Sequence, residues 1–204
     1  MPPPATRRFV FPWEDSFAVL VLYVDRQGNV SADFLEGFPV FSVTGSPVAP
    51  NGDQDRFVLN VDNHLIVLRH DGRAFVHAVR REGLHPDQGP FTIRPPVATT
   101  GAAIGVSPDQ ARFVGRLMDR RIFVVHPDGG TLGYDVIPDG DGAIVQPPFA
   151  FGGAKVATDD DVLFVVGMNF EIVLIRRDGS VTGYLTDTNN NLLPPVTLLA
   201  RRSS

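Results

Sequence analysis

At 204 residues the chain can form one sizeable all-β domain with its own core or two small ones, and its 20 glycines and 18 prolines promise many turns. It has no cysteine, which excludes disulfides and thiolate metal sites. Its net charge of −5 argues against nucleic acid, because phosphate binding needs a concentrated basic surface.

The N-terminal residues Met1-Pro2-Pro3-Pro4-Ala5-Thr6-Arg7-Arg8 are basic, but the apolar stretch 17–24 lies too far in and is too short for a secretory leader. Preceded by Trp13-Glu14-Asp15 and followed by Asp25, it reads as a strand. No run approaches the ~18 apolar residues of a membrane helix. A soluble cytoplasmic protein without a membrane partner is expected. Arginine supplies every basic residue except Lys155, a codon bias that points to a GC-rich, bacterial genome rather than to chemistry.

Three segments align with one another: Arg56 to Gly72, Arg112 to Gly129, and Leu163 to Gly179. A fourth, degenerate copy ends in Leu22-Tyr23-Val24-Asp25-Arg26-Gln27-Gly28. Each holds β-branched and aromatic runs that read as strands, with a glycine turn between two of them. The runs before the turns (65–69, 122–125, 172–175) are apolar on both faces, as a strand covered on both sides would be. No window shows a helical period.

A second landmark recurs as Phe38-Pro39-Val40, Pro95-Pro96-Val97, Pro147-Pro148-Phe149 and Pro194-Pro195-Val196, and small-residue segments follow the first three. These segments (44–49, 101–106, 152–157) are expected to form the innermost strand of each unit, where crowding favours glycine and alanine. The stretch 194–200 then begins a fifth copy, predicted to pair with the first and close the array. The expectation is one domain, 1–204, folded as an all-β four-bladed β-propeller. Blade 1 would comprise 7–37 with 194–204, blade 2 38–82, blade 3 95–137 and blade 4 147–187.

Four units of about 50 residues, closed by the C-terminal strand, resemble hemopexin-like four-bladed propellers. The likeness is architectural. Where that family has Asp-Ala-Ala and Tyr-Trp, this chain has Ala102-Ala103-Ile104 and Ile122-Phe123-Val124. No residue roles transfer and haem is not implied, but the resemblance implies binding of proteins, small ligands or ions near the axis.

Candidate sites follow from the repeat. Loops with Asp53 and Asp55, Asp109, and Asp159-Asp160-Asp161 should share one face with the turns at Asp71, Asp128 and Asp178. A ring of carboxylates could hold an axial or loop-bound cation, and Asp71, Asp128 and Asp178 are its candidate ligands. The favoured alternative is that these aspartates make turns through side-chain to backbone hydrogen bonds. Arg7-Arg8 and Arg201-Arg202 interrupt the ring. His70 and His126 read as one slot repeated in two blades; beside aspartates they could bind a transition metal, but simple repeat inheritance is the favoured alternative. Asp33, His77, Tyr134 and Tyr184 each lie five residues after a turn glycine and offer sugar-binding ledges or, equally, an amphipathic edge. Lys155 stands among small residues where Pro47 and Gly105 are read as its equivalents. It is a candidate desolvated amine, with a solvated one at the channel mouth favoured. Trp13, the one tryptophan, is a candidate ligand anchor in the most divergent blade.

No phosphate loop, nucleophile elbow, zinc-protease or dinucleotide motif is present. The expected function is a non-catalytic module that binds a small molecule or protein through its axial channel or acidic face. No cofactor is expected, and a homo-oligomer is compatible with the repeat. The alternatives are a lyase- or cyclase-like enzyme with one site at the channel mouth, and a multivalent lectin.

Overall fold

The computed structural model describes residues 7–12, 19–24, 30–34, 43–48, 55–81, 91–107, 109–117 and 120–198. Among these residues every regular element is a strand, so the chain is all-β. Two compact units are present: Met1–Thr100 with Pro138–Ile144, and Gly101–Ile137 with Val145–Ser204. Nothing in the repeat pattern marks this division.

The first unit opens with an antiparallel meander of β1 (Arg7–Pro12), β2 (Val19–Val24) and β3 (Val30–Phe34). A short β4 (Val43–Gly45) follows. The second meander is β5 (Asp55–Val61), β6 (His64–Arg69) and β7 (Ala74–Arg81). Two short strands share the free edge of β7. Strand β8 (Phe91–Ile93) pairs with Val79 to Arg81, and β9 (Val97–Ala98) pairs with Phe75 and Val76. The partners shift by one residue across Arg94-Pro95-Pro96, so β8 and β9 are two halves of one edge strand broken by a bulge. Proline cannot donate to a ladder and is tolerated at such a place.

The plan repeats in the strands that follow, of which Thr100 and residues 138–144 belong to the first unit and the rest to the second. After β10 (Thr100–Gly101) come β11 (Phe113–Leu117), β12 (Arg121–Val125), β13 (Thr131–Asp139) and β14 (Gly142–Val145). Then follow β15 (Phe149–Ala150), β16 (Gly152–Gly153), β17 (Val162–Met168), β18 (Glu171–Arg176), β19 (Val181–Leu185), β20 (Asn191–Leu192) and β21 (Val196–Leu198). Strand β15 pairs with Leu132 and Gly133 of β13, beyond Pro147-Pro148. In the fourth repeat Leu192 bridges to Thr186, and β21 pairs with Val181 to Gly183 beyond Pro194-Pro195.

Two expectations change. The Pro-Pro landmark is the break in the fourth strand of its own repeat, so among the described residues Val196–Leu198 pairs with the fourth meander, and residues 199–204 of the expected closing strand lie outside them. The small-residue segments do not line up beside the first strand of the next meander. Strand β4 runs parallel to β8 and β16 parallel to β20, against the front half of the fourth strand. The cause is visible at Gly45 (φ +111°) and Gly153 (φ +80°), where a Cβ would collide with the carbonyl oxygens of Ile93 and Leu192.

The middle strands locate the core. In β6 and β12 successive residues are buried, as their two-faced apolar character predicts. In β18 burial alternates, with Ile172 and Leu174 inside. The third and fourth repeats pack sheet on sheet. Leu117, Phe123 and Val125 of one face meet Val162, Ile172, Leu174 and Tyr184 of the next. Gly167 permits this approach, since a Cβ there would strike the Arg116 backbone.

Candidate functional site: the charged loop face of the second unit

The chain between β16 and β17 runs along two hairpin turns of this unit. Val156 donates its N–H to the Gly129 carbonyl (3.0 Å), and the Thr158 hydroxyl donates to that of Pro127 (2.7 Å). Arg177 donates its N–H to the Asp161 carbonyl (2.9 Å). The loop 155–161 and the turns at Asp128 and Asp178 therefore lie together.

The turns are built alike. Gly72, Gly129 and Gly179 adopt φ of +81°, +83° and +81°. The Arg73 N–H donates to Asp71 Oδ1 (3.0 Å), that of Gly130 to Asp128 Oδ1 (3.0 Å) and that of Ser180 to Asp178 Oδ1 (2.8 Å). Each aspartate thus ties the turn to the residue two positions on. These bonds hold the carboxyls below their ordinary range. For Asp71 the Arg73 N–H leads, for Asp128 the Lys155 ammonium, and for Asp178 the Ser180 hydroxyl. The three candidate cation ligands are turn-makers. Among the described residues no group of three His, Asp or Glu is arranged to hold a metal ion.

Around these turns the charges pair across the repeat. Arg176 Nη1 donates to Asp159 Oδ1 (2.6 Å), which lowers the pKa of the carboxyl and raises that of the guanidinium. Arg112 Nη2 reaches Asp160 Oδ1 (2.8 Å), and Lys155 Nζ reaches Asp128 Oδ2 (2.8 Å). The last two pairs stand in water: the Asp160 side chain is 99% exposed and that of Lys155 67%. Exposed pairs add little stability. They leave charged groups of both signs at the surface, held in place by the turns.

The other candidates are placed differently. Lys155 is the solvated amine of the two alternatives. Aligned on Gly45, Gly101 and Gly153, it matches Pro47 and Ala103, not Gly105. His126 forms the same turn bonds as Arg69 and Arg176, so its equivalents are those arginines, and His70 matches Pro127. Tyr134, Tyr184 and His77 are buried, which removes the exposed rings that a sugar ledge needs. The Tyr184 hydroxyl accepts the Ala157 N–H (3.0 Å), and His77 Nδ1 meets the Arg94 carbonyl oxygen (3.1 Å). Tyr184 stands directly opposite Ile172, and both belong to the core between the third and fourth repeats. Trp13 and Asp53 lie outside the described residues.

The arginine partners went unforeseen. Arg121 binds Asp135 through Nε (2.6 Å) and Nη2 (3.2 Å), donates to Asn190 Oδ1 (2.8 Å) and lies 4.6 Å from the Phe149 ring centroid. The only advance signal was its place directly across the ladder from Asp135.

No family model matches the chain, and no curated protein matches it closely. Among solved structures, the crystal structure of human WBSCR16 is similar over 89% of this chain at 16% identity, with a TM-score of 0.41. This chain spans about half of that one (49%). Among the described residues no helix is long and apolar enough to cross a membrane.

Proposed function

We propose that the chain is a non-catalytic binding module. Its four repeats serve as blades of a β-propeller, and the charged loop face of the second unit receives a protein or small ligand. Four-stranded sheets packed face to face support the blade reading, and the count of four per chain is that of the hemopexin-like arrangement. The observation that carries the functional reading is the loop face itself. Asp128 and Asp178 fix their turns while Lys155, Asp160 and Arg112 stay paired and solvated. A pre-set surface of alternating charge discriminates among partners and steers their approach.

The test is a triple variant, Asp159→Asn, Asp160→Asn and Asp161→Asn. Asparagine keeps the Oδ1 acceptor used by the Asp161 N–H and removes the charge. Ligand retained from a cell extract by the parent protein should be lost from the variant, while the circular dichroism spectrum is kept. Retention that is indifferent to the triple change sinks the site. Turnover of any metabolite by the purified protein sinks the non-catalytic reading.

A further inference from the structure

The three described middle strands begin eight residues before their turn glycines, at His64, Arg121 and Glu171. The approach to that place is built alike in all three repeats. The carbonyl just before it, at Asn63, Arg120 and Phe170, accepts the N–H of Val79, Val136 and Thr186 (2.8, 2.7 and 2.7 Å). The side chain that starts the strand is therefore delivered to the same spot of its sheet each time.

In two repeats that side chain meets a hairpin tip of the following repeat. His64 of the second repeat lies 3.3 Å through Nε2 from the Gly140 carbonyl of the third, and Nε2 donates, since a carbonyl only accepts. Arg121 of the third repeat donates from Nη1 to Asn190 Oδ1 of the fourth (2.8 Å). Gly140 and Asn190 hold the same station. Each stands in the turn just ahead of the fourth strand, with φ of +60° and +59°. Glycine and asparagine are the residues that enter this left-handed conformation most readily. Gly140 offers only its backbone oxygen, whereas Asn190 adds an amide oxygen that the longer guanidinium reaches. Both donors are largely withdrawn from water, His64 at 6% exposure and the Arg121 side chain at 15%. There a hydrogen bond competes little with solvent.

We propose that this donor is a latch, by which the first residue of one middle strand holds the hairpin tip of the next repeat in place. In the second unit two bonds carry the hold onward. Gly152 donates its N–H to the Asn190 carbonyl (3.1 Å) and Ala154 to that of Leu192 (2.8 Å), directly ahead of the loop 155–161. At Glu171 the series of donors stops, because a carboxylate accepts and does not donate. The latch does not depend on the binding reading.

Amide hydrogen exchange, followed residue by residue on the full chain, tests it. Asn190→Gly keeps the left-handed backbone and removes the acceptor. Exchange at 187–193 and at Gly152 and Ala154 should rise about fivefold or more. Asn190→Asp keeps an Oδ acceptor and should stay near the parent. In an Arg121→Ala background Asn190→Gly should add nothing further, since the bond is already gone. Where Arg121→Ala does not fold, the comparison of Asn190→Asp with Asn190→Gly decides alone. His64→Phe keeps a ring and removes the donor, and should raise exchange at 138–144 about two- to fivefold. Parent-like exchange in Asn190→Gly overturns the latch. So does an Asn190→Asp protein that exchanges as fast as Asn190→Gly, or a glycine effect undiminished without Arg121. Exchange at 138–144 unchanged by His64→Phe overturns it as a device shared between repeats.

Discussion

Three aspartates carry the same local chemistry at Asp71, Asp128 and Asp178, and its consequence is a dependence on acid. Each carboxyl titrates below its ordinary 3.8 because hydrogen-bond donors favour the charged form. A depressed folded pKa gives stability that is present above the unfolded value and lost as pH falls through the folded one. The turns should therefore weaken only below about pH 4. Asp178→Asn keeps an oxygen acceptor for the Ser180 N–H and removes the titration. Its melting temperature should sit below the parent's at neutral pH and converge with it in acid. Melting curves taken from pH 7 down to acid decide this, and a constant gap between the two proteins would contradict it. The turn-making role was legible beforehand, since Asp before Gly between two apolar runs has few other uses. The partners of the paired charges were not. Arg112 and Asp160 are 48 residues apart, and a contact at that range depends on how layers stack.

At the scale of elements, the glycine turns and the two-faced apolar middle strands were legible because each spans enough residues to show a pattern. The fourth strand was not. Its halves are two to four residues long and are split by Pro-Pro, so neither shows the alternation that identifies a strand. The Pro-Pro landmark is visible in the sequence, but without the pairing it reads as the start of the next repeat and not as the middle of its own. The glycine that sets the neighbouring parallel pair makes the corrected assignment testable. At Gly153, alanine brings both a left-handed backbone and a Cβ against the Leu192 carbonyl, so Gly153→Ala should cost about 2–4 kcal/mol. Gly140 has φ of +60° but open space around its Cβ position, and Gly140→Ala should cost about 1–2 kcal/mol. Urea unfolding followed by circular dichroism compares the two, and equal costs would remove the carbonyl contact from the account.

At the scale of the whole molecule, the units do not follow the repeats. Residues 138–144, the end of β13 and most of β14, belong to the first unit. Two side chains of the second meander hold them there. Arg80 Nη2 donates to Asp141 Oδ1 (2.7 Å) and to the Gly140 carbonyl (3.0 Å), and the buried His64 meets that same carbonyl through Nε2 (3.3 Å). Four like repeats gave no sign of this, because the charges involved are a pair 61 residues apart on one exposed turn and one strand. The Arg80–Asp141 pair is about half exposed on both sides, so its contribution is small. Arg80→Ala should then raise hydrogen exchange of the 138–144 amides roughly two- to fivefold, as local opening of that segment becomes easier. Exchange in β17 and β18, which belong wholly to the second unit, should not change. Faster exchange in those strands as well would mean that Arg80 supports more than the segment it touches, and the assignment of 138–144 to a separately held unit would fall.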